Sequence, residues 1–185
     1  MRRRPFIAAA AAAASVIASQ GLAQTPSEAE NTIFLDVKQG RVVIQLLPEI
    51  APLHVARIKQ LTRQGFYDGI VFHRVIEGFM AQGGDPTGTG TGGSKLPNLK
   101  AEFSQNRQFL RGICGMARSG DPDSANSQFF IMFAPAPSLN GNYTIWGQVT
   151  KGMEFVDQIK RGSGGGGTVT DPDRIVRMRV AADVK

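Results

Sequence analysis

The sequence predicts an all-β domain with two helices, in which eight antiparallel strands close into a barrel capped by a helix at each end. Three observations point there. Eight short runs of β-branched and apolar residues recur along the chain, most of them separated by brief turns. Only two stretches carry helical spacing. An eight-stranded body disposes of its exposed edges most simply by closing on itself.

The elements follow in order. TIFLDV (32–37) and RVVIQLL (41–47) flank Lys38-Gln39-Gly40 and read as a hairpin. Pro52 near its start, Leu53, Ala56, Ile58 and Leu61 at helical spacing, and Gly65 at its end mark the first helix. IVFHRVI and FMAQGG are short strands around Glu77-Gly78. Residues 84–109 are rich in Gly, Pro and Asn and lack a period, so they predict a long ordered loop, a feature usually tied to function. GICGMA, SQFFIMF and YTIWGQV are three more strands. GMEFVDQIK is the second helix, GSGGGGTVTDPD a glycine-rich loop, and RIVRMRVAADV the closing strand. No internal repeat is present.

The first residues read differently. Arg2, Arg3 and Arg4 precede an alanine-rich apolar run from Phe6 to Ile17, and Gly21-Leu22-Ala23 offers small residues for cleavage. That is the layout of a secretory signal peptide over 1–23, too short in its apolar part to span a bilayer. Arg3-Arg4-Pro5-Phe6-Ile7 also resembles a twin-arginine export signal, so the route stays open. Residues 24–31 are expected to form a flexible leader and 32–185 one domain. Cleavage after Ala23 would leave 162 of the 185 residues. Three of the 21 basic residues and none of the 15 acidic ones fall in the leader peptide, so the remainder carries +3 against +6 overall. A charge that small and that evenly spread gives no reason to expect nucleic acid, and no second apolar segment suggests membrane insertion. The single cysteine, Cys114, excludes an intrachain disulfide and reads as a buried inert thiol.

Several chemistries are poorly supplied. There is no Gly-x-Ser-x-Gly elbow, and only two histidines exist. His73 reads as a hydrogen-bonded structural residue and His54 as a surface or helix-packing one. A metal site would need more ligands at workable spacing. The glycines of GGDPTGTGTGG match neither phosphate-loop nor dinucleotide spacing. What remains is a cation, Arg74, among large apolar residues and side-chain amides. A pocket so lined can bind an extended peptide and can speed only reactions that need electrostatics and desolvation. Rotation about a prolyl peptide bond is one, because an arginine can donate to the prolyl nitrogen as amide resonance breaks. Two other readings compete: a proline-binding module without turnover, and a surface ion pair of Arg74 with Glu77 or Asp85.

VFHRVIEGFMAQGGDPTGTGTGG, NSQFFIMF and SLNGNYTIWGQV, in this order, closely resemble the cyclophilin family of peptidyl-prolyl cis-trans isomerases, and the likeness runs from about Thr32 to the C-terminus. The resemblance implies an eight-stranded barrel with a helix at each open end. It places Arg74 on the family's catalytic arginine and Gln82 on the amide that steers it. Phe79, Met80, Phe130 and Leu139 fall on the apolar proline pocket, with Phe129 assigned to the barrel interior. Ala117 and Gln128 fall on the groove for residues before the proline. Tyr143 stands where a rim histidine is often found, Arg118 replaces a groove asparagine, and Ser138 replaces a tryptophan. Loss of that tryptophan implies weak cyclosporin binding. The resemblance further implies an enzyme without cofactor that acts on proline-containing peptides. With the export signal it implies a folding helper for exported proteins in the periplasm, and nothing in the sequence suggests a dimer face, so a monomer is expected.

Overall fold

The computed structural model describes residues 26–185; the expected signal peptide over 1–23 lies outside them. Eight strands form one antiparallel sheet: β1 Thr32–Val37, β2 Gly40–Leu46, β3 Arg74–Ile76, β4 Met80–Gly83, β5 Ile113–Met116, β6 Phe129–Met132, β7 Ile145–Lys151 and β8 Ile175–Val180. Their spatial order is β3-β4-β6-β5-β7-β2-β1-β8. Alternation in β1 and β2 buries Ile33, Leu35, Val42, Ile44 and Leu46 inside the curl. Phe129 lies at the centre, edge-on to Tyr67 and Trp146 at 5.5 and 5.7 Å between ring centroids. Cys114 is fully buried, and burial pushes its thiol far above the ordinary range.

Among the described residues, two α-helices pack on this sheet. α2, Pro52–Arg63, buries Val55, Ile58 and Leu61 together with His54, Arg57 and Thr62. The predicted stripe was displaced: Leu53 and Ala56 face solvent, and Val55 takes their place in the core. The helix starts without a side-chain cap of its own, and Glu102 serves instead. Its carboxylate accepts the backbone N–H groups of Leu53 and His54, each at 3.0 Å, where the helix dipole favours an anion. His54 is wholly buried rather than at the surface, and its Nδ1 donates to the same carboxylate at 2.6 Å. α3, Met153–Val156, closes the opposite end near the start of β2. Gly40 permits this approach, because a Cβ there would come within 2.6 Å of the Phe155 ring. The expected flexible leader contains α1, Pro26–Glu30, a helical turn tied down by Glu30 pairing with Lys59 and Arg63.

"Closed" overstates the barrel. β3 and β8 are the outer strands, and they share no ladder. β3 is three residues long, too short to pair with β8 along its length. The seam is bridged at Val71 and Arg174, with Gly69, Ile70 and Phe72 exchanging backbone bonds with 173–175. The free edge of β3 is covered by the glycine-rich segment 162–169: Val75 N–H donates to Gly167 O, and Gly162 N–H donates to Val75 O. The sheet is therefore curled with a patched seam.

Candidate active site

Cross-strand register builds the site on the outer face of the sheet. Arg74 of β3 pairs with Gln82 of β4, Gln82 with Phe130 of β6, and Phe130 with Gly115 of β5. Because side chains alternate, this row points away from the interior that holds Phe129 and Ile131. A second, smaller apolar cluster forms on the outer side from Met80, Phe109, Phe130, Met132 and Ile145, with Phe79, Leu139 and Tyr143 packed against it. Gly115 makes room for it: a Cβ there would lie 2.5 Å from Phe130 and 2.7 Å from Phe109, whose rings stack at 5.7 Å.

Above this floor opens a cavity of about 580 Å³. Arg74, Phe79, Met80, Gln82, Ala117, Arg118, Phe130, Leu139 and Tyr143 all line it, so nine of the ten residues singled out in the sequence converge there. Gln128 lines an adjoining cavity of about 560 Å³ that shares Gln82, Gly90, Ala117 and Arg118 with the first. Met80 and Phe130 are buried, while Arg74 and Gln82 are half-buried, which gives an apolar floor under a polar wall. Phe130 meets Tyr143 edge-on at 5.9 Å.

Arg74 is held without a carboxylate. Its Nε donates to Gly166 O at 2.9 Å and its Nη1 to Gln82 Oε1 at 3.2 Å. Gln82 Nε2 donates to Gln128 Oε1 at 2.9 Å, and Gln128 Nε2 donates to Gly90 O and Gly92 O at 3.0 and 2.8 Å. This relay ties Arg74 to the long loop, which Asp85 secures by accepting the N–H groups of Thr87, Gly90 and Gly92. Burial raises the Asp85 carboxyl, but those donors outweigh it and hold the group below the usual aspartate range. Neither proposed ion pair forms: Glu77 pairs with Arg161, and Asp85 spends its oxygens on the loop. Among the described residues Arg74 has no ion-pair partner, and its Nη2 has no protein acceptor.

Four contributors escaped sequence reasoning. His73 lines the cavity, yet it is buried with neither ring nitrogen hydrogen-bonded to the described protein, which corrects the hydrogen bonding expected for it. Burial depresses its pKa, Asp85 pulls it up and Arg74 pushes it down. Thr168 and Val169 complete the rim, and Gly166 lends its backbone carbonyl. The glycine run 162–167 was the available signal for this last group, read only as a loop.

Known proteins share these features. The family model described as cyclophilin type peptidyl-prolyl cis-trans isomerase/CLD matches residues 32–180. A probable peptidyl-prolyl cis-trans isomerase of Brucella suis is 51% identical, the alignment covering 97% of this chain and 99% of that one. Peptidyl-prolyl cis-trans isomerase B of Bacillus subtilis is 45% identical over 70% of this chain and 90% of its own. Among solved structures, the cyclophilin AquaCyp293 of Hirschia baltica matches with a TM-score of 0.76 at 28% identity, over 85% of this chain and 76% of that one. A Cryptosporidium parvum cyclophilin type isomerase, crystallised in the presence of the dipeptide Ala-Pro, matches with a TM-score of 0.74 at 29% identity, over 80% of this chain and 98% of that one. The curled eight-stranded sheet, the three motifs and these matches together show that the chain belongs to the cyclophilin-type peptidyl-prolyl cis-trans isomerase family.

Proposed function

We propose that the protein accelerates rotation about Xaa-Pro bonds without covalent chemistry, with Arg74 stabilising the twisted amide. Peptidyl-prolyl isomerase activity is the family's, and the relatives carry that name. The barrier to rotation, about 18–20 kcal/mol, comes from amide resonance. A proline ring seated on Met80, Phe130 and Leu139 leaves water, and an apolar surrounding favours the less polar twisted amide. As resonance breaks, the nitrogen lone pair localises and becomes an acceptor. A guanidinium N–H aimed at it strengthens its bond in the transition state relative to the ground state, which is what lowers a barrier. No proton moves, so an always-charged arginine suits the task.

One observation carries this reading: Arg74 is anchored at Nε and Nη1 above an apolar floor, uncompensated by any carboxylate, with Nη2 left for a ligand. A binding module would need the floor alone. The test is the cis-to-trans rate of a short Ala-Pro peptide with wild type and Arg74→Ala. A fall of at least tenfold, roughly 1.4 kcal/mol of transition-state stabilisation, supports the mechanism. No acceleration by folded wild type sinks it and leaves a proline-binding site.

The natural substrates we propose are proline-containing segments of exported proteins folding in the periplasm, where slow prolyl bonds delay maturation. The support is the export-signal layout of residues 1–23. Protein recovered from the periplasmic fraction should begin at Gln24; an intact Met1 terminus in the cytoplasm would overturn this. Ser138, where the family often carries a tryptophan, favours weak cyclosporin binding.

A further inference from the structure

Most arginines in the described chain meet a carboxylate. Arg41 and Arg177 pair with Asp36, Arg63 with Glu30 and Asp183, Arg111 with Asp157, and Arg179 with Asp68. Arg118 does not. Its Nε and Nη2 donate to Asn142 O at 3.0 and 2.8 Å, and its Nη1 to Ser119 O at 2.9 Å. Its guanidinium lies over the Tyr143 ring, 4.5 Å from the centroid. These partners are neutral. They fix the orientation of the guanidinium and leave its charge unbalanced.

Arg118 stands on the saddle between the two cavities and lines both. Among the described residues lining either cavity there is no carboxylate, whereas Arg74 and Arg118 both contribute a cation. The closest acids along the chain, Asp121 and Asp123, line neither cavity. Each is turned to the backbone: Asp121 accepts Asp123 N–H at 2.9 Å, and Asp123 accepts Ala101 N–H at 2.8 Å. The second cavity is otherwise lined by amides, hydroxyls and loop glycines, so Arg118 is its sole charged group among the described residues.

We infer that Arg118 selects an acidic side chain in the substrate, an Asp or Glu within about three residues of the proline, the span that carries an extended peptide from the first cavity into the second. The inference rests on the isomerase reading of the first cavity. An ion pair at a half-exposed site is worth a modest factor, about threefold in kcat/KM, and it weakens as salt screens it.

Matched Ala-Pro peptides carrying Glu, Gln or Lys at each flanking position test it, assayed by cis-to-trans rate with wild type, Arg118→Gln and Arg118→Lys. One position should favour Glu over Gln by about threefold and Gln over Lys, with the contrast fading at about 0.5 M salt. Arg118→Lys should keep the contrast and Arg118→Gln should lose it. Equal rates for all three peptides overturn the inference. So does a Glu-to-Gln ratio that is the same in wild type and Arg118→Gln, because Arg118 would then only clamp Asn142 and Tyr143 and its loss would slow every peptide alike. If wild type fails to accelerate even the Gln peptides, the isomerase reading itself falls, and this preference with it.

Discussion

The outer shell and the groove use the same side chain in opposite ways. In the shell, arginines meet carboxylates: Arg111 pairs with Asp157 through two bonds of 2.8 and 2.6 Å, and Arg179 with Asp68 through bonds of 2.9 and 2.8 Å. In the groove, Arg74 and Arg118 meet carbonyls and an amide. Both environments fix a planar fork through several donors. Only the first cancels its charge. Neutral acceptors alone do not make a ligand site, since buried Arg57 donates to Asn126 O and Pro97 O and holds the fold; what sets Arg74 and Arg118 apart is that an uncancelled charge lines a cavity.

Substitutions can break or sharpen that contrast. The largest effect is expected from Arg74→Ala, with the prolyl rate falling tenfold or more while the unfolding midpoint stays near that of wild type. A midpoint that collapsed together with the rate would make Arg74 one more staple. Asp68→Ala is the converse. Asp68 also accepts Met178 N–H at 2.9 Å, so its loss should cost about 1 kcal/mol in denaturant unfolding with the prolyl rate retained. A rate that fell with Asp68 would show the shell and groove to be coupled. The smallest effect is graded with pH. His73 and His54 both have pKa values depressed by burial from the ordinary 6.5. The unfolded chain therefore takes up these protons first, so stability is complete above that value and falls as pH drops below it. Carboxylates such as Glu30, held down to about 2 by Arg63 and Lys59, act only below their ordinary 4.5, which leaves this window to the imidazoles. The unfolding midpoint should decline from about pH 7 to about pH 5.5, less steeply in His73→Asn. A flat profile would mean that neither imidazole changes surroundings on folding.

The strands were legible because their runs alternate or stay apolar at strand length, and because the turn at Lys38-Gln39-Gly40 lies between two of them. The pocket was legible because most of its side chains sit in three long motifs: Arg74, Phe79, Met80 and Gln82 in the first, Gln128 and Phe130 in the second, Leu139 and Tyr143 in the third. What escaped depends on backbone groups or distant partners. The seam is made by single bridges at Val71 and Arg174 and by the carbonyls and amides of 162–169, which leave no side-chain pattern. Glu102 caps α2 from 48 and 49 positions away, and no local periodicity encodes that. His73 looks like any strand histidine; its lack of a partner is visible only once Asp85 has turned its oxygens to the loop.

The bond from Arg74 Nε to Gly166 O joins residues 92 positions apart. During synthesis every side chain of the proline floor is made before the carbonyl that aims the guanidinium. A chain cut short before Gly166 would lack both this carbonyl and β8, the strand that pairs with β1. Each new copy must pass its own ten prolines through the folding barrier unaided, or with help from a finished neighbour, because its working geometry arrives only when its two distant segments meet.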